Sequence, residues 1–272
     1  DVHRERTSMK KVLIPTQLDA VAQEILEAHG GYAVVQMPKA DIAQLLRDNP
    51  DTHALIVRSE KITAELIDLA PALKVIVRAG AGYNTIDIRY ARKKGIDVMN
   101  TPGANSNAVA EEVVAMMLAD ARHLVAADIS TRAGDWKKSE YMGSELAGKT
   151  VGIVGLGYIG QLVARRLSGF EVKLIGYDPF TSNEKTAELG IERVSLPELF
   201  EQADYVTLHI PENDSTRGMI NRALLGRMKP GATLVNCARA GILDEDSLRA
   251  VKAEKNIRFL NDVYFKDAAG LK

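Results

Sequence analysis

The chain has 272 residues, and its 35 lysines and arginines nearly balance 36 aspartates and glutamates, which leaves a net charge of −1. A surface without excess charge offers no general attraction for nucleic acid or for a membrane, so we expect neither as a partner. A single cysteine excludes an intramolecular disulfide and no apolar run approaches the roughly 18 residues of a membrane span, so we predict a cytoplasmic globular protein.

Short apolar runs alternate with helical patterns from Lys11 to Met99. This alternation is typical of βαβ units, which build a parallel sheet. The predicted strands are 12–14, 32–36, 54–57, 75–77 and 96–99, and the predicted helices are 19–29, 41–47, 63–69 and 86–94. Five such strands make a small doubly wound sheet.

A long helical pattern over 106–131 follows Thr101-Pro102-Gly103. We predict that it bridges two domains, 9–102 and 103–272. The pattern contains more apolar residues than one buried stripe requires, which predicts that part of it packs on a second copy of the chain. We therefore expect a homodimer or a higher homo-oligomer.

A second alternating series follows the long helix. Its predicted strands are 151–154, 174–177, 205–209, 233–236 and 259–260, with a helix at 161–167. The expected fold class is α/β, with two doubly wound parallel-sheet domains of which the second is a Rossmann domain.

The second series begins with a glycine fingerprint. Gly155, Gly157 and Gly160 follow an apolar strand and precede a helix, which is the setting that a dinucleotide-binding G-x-G-x-x-G requires. Asp178 lies at the end of the next strand, where a carboxylate binds the adenosine ribose and repels a 2′-phosphate. This pattern predicts NAD rather than NADP; the alternative is a glycine turn with no ligand.

Several longer motifs carry a family resemblance. They are RAGAG at 78–82, NTPGANS at 100–106, YMGSELAGK at 141–149, LHIP at 208–211 and MKPGATLVNCAR at 228–239. From about Met9 the chain resembles the D-isomer-specific 2-hydroxyacid dehydrogenases. The resemblance implies a flavodoxin-like substrate domain, an NAD-binding domain, no metal, and a small anionic 2-hydroxy acid as substrate. The MGSEL run favours the branch that converts D-3-phosphoglycerate to 3-phosphohydroxypyruvate in serine biosynthesis.

Arg239 is the first candidate for catalysis. It ends a predicted strand at the sheet edge where ligands bind, and reduction of a keto acid requires a fixed cation on the carboxylate and carbonyl. The resemblance makes it the catalytic arginine, while the alternative is a solvated surface arginine. The resemblance also implies cofactor contacts from Tyr158, Ile159, His209, Ile210, Pro211, Cys237, Ala238, Arg239 and Asp262. A nucleophilic cysteine is the alternative for Cys237, and a capped strand end is the alternative for His209.

In the first domain two arginines close predicted strands. The resemblance assigns the loops at Arg58-Ser59 and at Arg78-Ala79-Gly80 to the carboxylate and phosphate of the substrate. The backbone N–H groups of Ala79 and Gly80 are predicted to form an anion-binding nest. The alternative is that both arginines are merely solvated.

The proton transfer of the family requires a histidine held by a carboxylate. Asp267 stands where the family has a glutamate, and we predict that it orients a histidine. None of the five histidines matches that histidine, which we expect downstream of Lys272. Two interpretations follow: part of an active dehydrogenase, or a truncated NAD-binding homologue that acts as a sensor or interaction module.

Overall fold

The computed structural model describes residues 9–263, which form two compact units that divide between Asn105 and Ser106. The sequence-based boundary lies three residues earlier, after Pro102. Each unit is built on one parallel sheet. No helix within the described residues is long and apolar enough to cross a membrane.

The first unit contains five parallel strands in the order β2-β1-β3-β4-β5. The strands are Lys10–Ile14 (β1), Tyr32–Gln36 (β2), Thr52–Val57 (β3), Val75–Arg78 (β4) and Asp97–Asn100 (β5), and the helices are Ala20–Ala28 (α1), Ile42–Asp48 (α2), Ala64–Asp68 (α3) and Ile88–Lys93 (α4). Leu13, Leu55 and Ile76 lie beside one another on β1, β3 and β4 and are almost completely buried, so they form the centre of this core.

Aspartates fix where three of these helices begin. Asp19, Asp41 and Asp87 accept hydrogen bonds from backbone N–H groups in the first turns of α1, α2 and α4, at 3.0, 2.7 and 2.9 Å. Such caps satisfy donors that a helix leaves unpaired at its N-terminus. They also hold the loops that leave the carboxyl ends of the strands.

The second unit contains six parallel strands in the order β8-β7-β6-β9-β10-β11. The strands are Thr150–Val154 (β6), Lys173–Tyr177 (β7), Glu192–Arg193 (β8), Tyr205–Leu208 (β9), Thr233–Asn236 (β10) and Arg258–Asn261 (β11). The helices are Ser106–Ala121 (α5), Leu124–Arg132 (α6), Tyr158–Leu167 (α7), Asn183–Glu188 (α8), Leu196–Gln202 (α9), Arg222–Leu225 (α10) and Glu245–Lys255 (α11). This is the Rossmann strand order, so the predicted fold class is confirmed.

The prediction of one continuous helix over 106–131 is wrong. The helix stops at Ala121 because the carbonyl of Ala121 accepts the backbone N–H of Ser144 at 2.8 Å, and His123 adopts a left-handed φ of 51°. A second helix, α6, then begins at Leu124. Neither glycine nor proline marks the break, so residue pattern alone gave no sign of it.

The two helices differ in what they bury. On α5, Ala110, Val113 and Met117 are fully buried and belong to a core that also contains Val163 and Leu167 of α7. On α6 only Ser130 is buried. The apolar residues that exceed one buried stripe therefore lie on α6.

Candidate functional site

The carboxyl edge of the second sheet carries the site residues predicted for this unit. The loops after β6, β7, β9, β10 and β11 contain Gly155, Asp178, His209, Arg239 and Asp262, respectively. The chain order reverses between β6 and β9, which are neighbours in the sheet. Open α/β sheets bind ligands at such a switch point, outside the carboxyl ends of the strands.

Two positions of the glycine loop after β6 accept only a residue without a side chain. Gly155 has a φ of +93°, and a Cβ there would lie 2.7 Å from the backbone oxygen of His209. A Cβ on Gly160 would overlap the backbone oxygen of Gly155. These two glycines let α7 and the loop after β9 approach β6 closely, as the fingerprint predicts.

Gly157 differs from its two neighbours because its surroundings are open. It is the N-cap of α7, no side chain caps this helix, and a Cβ on Gly157 would meet nothing within 4 Å. The amides that begin α7, including those of Tyr158 and Ile159, can therefore receive an anion from outside the chain. This open helix N-terminus fits the pyrophosphate of NAD.

Asp178 lies against the same glycine loop. Its Oδ2 accepts the backbone N–H of Leu156 at 2.7 Å, and its Oδ1 accepts those of Phe180 and Thr181 at 2.7 and 3.1 Å. Each carboxylate oxygen has two acceptor positions, so Oδ2 can also accept a ribose hydroxyl. The fixed negative charge beside the loop fits NAD, and it would repel the additional phosphate of NADP.

His209 joins β9 to the glycine loop. Its backbone N–H donates to Val154 at 2.7 Å, and its Nε2 lies 2.9 Å from the hydroxyl of Thr207. Burial lowers the pKa of His209 to about 3, and its Nδ1 is buried without a partner within the described residues. The ring is therefore neutral at physiological pH and is suited to packing rather than to proton transfer. Ile210 and Pro211 continue from it along the sheet edge.

The loop that carries Arg239 is held by one asparagine. Asn236 ends β10 and is fully buried. Its Oδ1 accepts the backbone N–H of Ala238 and its Nδ2 donates to the carbonyl of Arg239, both at 3.0 Å. The half-buried guanidinium of Arg239 donates from Nη1 to the carbonyl of Ala238 at 2.6 Å. Both hydrogen bonds of Asn236 fix the direction in which the chain leaves the sheet at Arg239.

Cys237 has the properties of a packed thiol. It is buried, and its Sγ lies 3.8 Å from Sδ of Met116. Burial raises the pKa of Cys237 to about 12, with further contributions from the negative charges of Asp262 and Glu112. The thiolate is the reactive form of cysteine, so these surroundings disfavour the nucleophilic alternative.

In the first unit the predicted anion nest is not formed. The backbone N–H of Ala79 donates to Val57 and that of Gly80 donates to Arg78, both at 2.8 Å, so neither amide is open to an anion. The neighbouring amides of Arg58 and Ser59 instead converge on one acceptor, Oε2 of Glu60, at 2.7 and 3.1 Å. Substrate contact by Arg58, Ser59, Arg78, Ala79 and Gly80 stays a prediction.

A surface cavity of about 330 Å³ lies elsewhere in the first unit, along the edge strand β5. Tyr83, Ile88 and Met99 contribute to its lining. It contains none of the predicted site residues.

Two residues of these loops were not among the sequence-based candidates. Asn236 directly precedes the Cys-Ala-Arg run, and a polar side chain at the end of an apolar strand could have indicated its role. Glu60 directly follows Arg58-Ser59, and an acidic residue beside a predicted anion site could have drawn attention to it. The predicted Asp267 lies outside the described residues.

Comparison with known proteins adds an independent finding. Residues 114–269 match the family described as D-isomer specific 2-hydroxyacid dehydrogenase, NAD binding domain. Human D-3-phosphoglycerate dehydrogenase is 40% identical over 262 residues, which cover 96% of this chain and 49% of that protein. The chain thus spans about half the length of the curated relatives it matches.

Solved structures are similar as well. The NAD⁺-bound 3-phosphoglycerate dehydrogenase of Entamoeba histolytica has a TM-score of 0.80 and 33% identity, covering 96% of this chain and 82% of that one. An acyclic imino acid reductase in complex with NADPH and D-Arg has a TM-score of 0.82 and 32% identity, covering 95% of this chain and 85% of that one.

NAD is the cofactor of the matched domain family. In this chain, the glycine loop, the open N-terminus of α7 and Asp178 are the features that fit it. The chain belongs to the D-isomer specific 2-hydroxyacid dehydrogenase family.

Proposed function

We propose that this protein uses NAD to interconvert a D-2-hydroxy acid and its 2-keto acid, and that its substrate is D-3-phosphoglycerate. The proposed substrate is supported by the 40% identity to human D-3-phosphoglycerate dehydrogenase over 96% of this chain. The site supports the cofactor independently, because the open α7 N-terminus and Asp178 suit NAD.

NAD, when bound, accepts the hydride that leaves C2 of the hydroxy acid. As the C2–H bond breaks and the carbonyl forms, the hydroxyl proton must pass to a base. Arg239 would grip the substrate carboxylate and stabilise the charge on the carbonyl oxygen, because guanidinium donors form a planar fork that matches a carboxylate. Asn236 would keep Arg239 in place through the loop that it pins. The base is the histidine implied by the family resemblance, with Asp267 as its orienting carboxylate.

The turnover of D-3-phosphoglycerate with NAD tests this proposal, followed as NADH formation. We expect turnover by protein that includes the histidine base, and a loss of about 10²–10³-fold in kcat for Arg239→Ala while NADH still binds. Arg239→Lys should recover only part of the loss, because an ammonium cannot form the fork. The control is Arg222→Ala on α10, which removes an exposed guanidinium that is paired with Glu254 of α11. If Arg239→Ala keeps full turnover, the role of Arg239 is refuted.

We also propose that the protein forms a homodimer through α6. Leu124, Val125 and Ile129 on this helix are 60, 65 and 64% exposed, and Trp136 and Met142 just beyond it are even more exposed. Large apolar side chains that cluster at the surface mark interaction sites. A second copy of the chain would cover its own equivalent surface in a two-fold arrangement.

A further inference from the structure

The carboxyl edge of the first sheet has its own switch point. The strand order β2-β1-β3-β4-β5 reverses direction between β1 and β3. Ligands of open α/β sheets bind in the crevice outside the strands at this position. Thr16 follows β1, and Arg58, Ser59 and Glu60 follow β3.

The loop after β3 has the geometry of an anion site. The adjacent N–H groups of Arg58 and Ser59 point to one common acceptor, which is Oε2 of Glu60 at 2.7 and 3.1 Å. Convergent backbone amides of this kind bind carboxylates and phosphates. The hydroxyl of Thr16, a buried residue, is near enough to help lower the pKa of the Glu60 carboxyl. The acceptor position of this small-anion site is therefore filled by a carboxylate of the chain itself.

A permanent cation lies beside the same peptide groups. Nε of Arg78 donates to the carbonyl of Arg58 at 2.9 Å. The guanidinium also lies directly over Gly80, where φ is +152° and a Cβ would overlap it. The peptide N–H and C=O of Arg58 thus bind Glu60 on one side and Arg78 on the other. An anionic ligand that approaches this loop would be attracted by the guanidinium of Arg78 and repelled by the carboxylate of Glu60.

The carboxylate of Glu60 keeps its charge in this setting. Partial burial raises the pKa of Glu60, but the hydrogen bonds from Arg58, Glu60 itself, Thr16 and Ser59 outweigh burial and lower the pKa below its usual value. Glu60 is therefore ionised at neutral pH. An anionic ligand competes with a full negative charge for the two amides.

We propose that Glu60 is a specificity-determining residue: its carboxylate occupies the amide pair of Arg58 and Ser59 and competes there with the anionic group of a ligand. Repulsion between like charges at close range weakens the binding of a dianionic phosphate more than that of a single carboxylate. Glu60 thus lowers the affinity of this end of the sheet for a ligand, and lowers it more the more negative charge the ligand has. That this ligand is the substrate rests on the proposed function; the competition itself does not.

Titration calorimetry of the full chain tests the proposal with inorganic phosphate, D-3-phosphoglycerate and D-glycerate as probes. Glu60→Gln keeps an oxygen acceptor for the two amides but removes the charge, and Glu60→Ala also frees the amides. We expect phosphate and D-3-phosphoglycerate to bind on the order of tenfold more tightly to Glu60→Gln, and more tightly still to Glu60→Ala. D-glycerate should gain less, and high salt should reduce all gains. Glu65→Gln is the matched control, since it removes one acidic charge from the first turn of α3.

The outcomes separate the proposal from its alternatives. A carboxylate that only caps the turn would give variants that lose stability and gain no anion affinity, which would overturn the proposal. Should Glu60→Ala fail to fold, an unchanged phosphate affinity in Glu60→Gln would overturn it equally. A gain for inorganic phosphate without NAD-dependent turnover of D-3-phosphoglycerate would refute the proposed substrate and leave the role of Glu60 intact.

Discussion

The carboxylate of Asp178 accepts the backbone N–H of Leu156 at 2.7 Å, so the charge at the end of β7 is held against the glycine loop after β6. Replacing Asp178 by asparagine keeps an acceptor there but removes the charge that repels a 2′-phosphate. We predict that Asp178→Asn weakens NADH binding several-fold and strengthens NADPH binding, so that the preference for NADH falls by about tenfold or more. Fluorescence titration with both cofactors measures this ratio.

Asp246→Asn is the control for this change, because Asp246 is an exposed carboxylate in the first turn of α11. It should leave both affinities unchanged. An Asp178→Asn variant with the wild-type ratio of NADH to NADPH affinity would show that Asp178 does not select the cofactor.

Asn236 is predicted to act on catalysis through Arg239. Asn236→Asp keeps an acceptor for the N–H of Ala238 but loses the donor to the carbonyl of Arg239. A displaced catalytic group costs up to about 10²-fold in rate. We expect kcat to fall by one to two orders of magnitude while the dissociation constant of NADH stays the same.

Asn221→Ala is the matched control, because Asn221 caps α10 through two backbone N–H groups and its loss costs about 1 kcal/mol of stability. It should leave kcat unchanged. If Asn236→Asp and Asn221→Ala lower stability alike and neither lowers kcat, the positioning role of Asn236 is excluded.

Much of the fold could be predicted from the sequence, because each buried strand is a short apolar run and each strand-to-helix loop carries its own signal. The glycine fingerprint, Asp178 and Arg239 were placed on the correct strand ends for the same reason. The two-residue strand β8 was missed because Glu192 and Arg193 are exposed and carry no apolar pattern. Side-chain to backbone contacts between distant residues have no local signature.

Hydrogen bonds between distant residues also decided the outcome in the first unit. The resemblance directed attention to the amides of Ala79 and Gly80, but these donate within the backbone. Which amides remain for an anion depends on hydrogen bonds that span several strand ends. Glu60, by contrast, bonds to the amides of its own neighbours Arg58 and Ser59, so its acidic side chain was a local signal that the resemblance did not use.

Acid should destabilise the protein through His209. Its pKa is about 3 in the folded chain, below its ordinary value of 6.5, so between these values the unfolded chain binds a proton that the folded chain does not. Stability should fall by about 2 kcal/mol between about pH 7 and pH 5 from this group alone. His209→Gln should reduce that loss, whereas His29→Gln, at an exposed helix end, should not. Urea denaturation at both pH values measures this, and equal pH dependence in all three proteins would contradict it.

The apolar face of α6 should control assembly. Ile129 is 64% exposed on α6, and Ile25 is 66% exposed on α1, so the two form a matched pair. We predict that Ile129→Asp makes the protein monomeric by light scattering at micromolar concentration, whereas Ile25→Asp leaves the dimer intact. A wild-type protein that is already monomeric would contradict the proposed dimer, and an Ile129→Asp dimer would show that α6 is not the interface.

The most direct test of the NAD site uses Gly157. Its φ of −71° suits any residue and a Cβ there would meet nothing within 4 Å, so Gly157→Ala should fold with unchanged stability. The same Cβ would stand where the pyrophosphate approaches the N-terminus of α7. Gly169→Ala, at another position with open surroundings, is the control. We predict at least about tenfold weaker NADH binding for Gly157→Ala alone. Full NADH affinity in a correctly folded Gly157→Ala protein would contradict the binding of NAD at this loop.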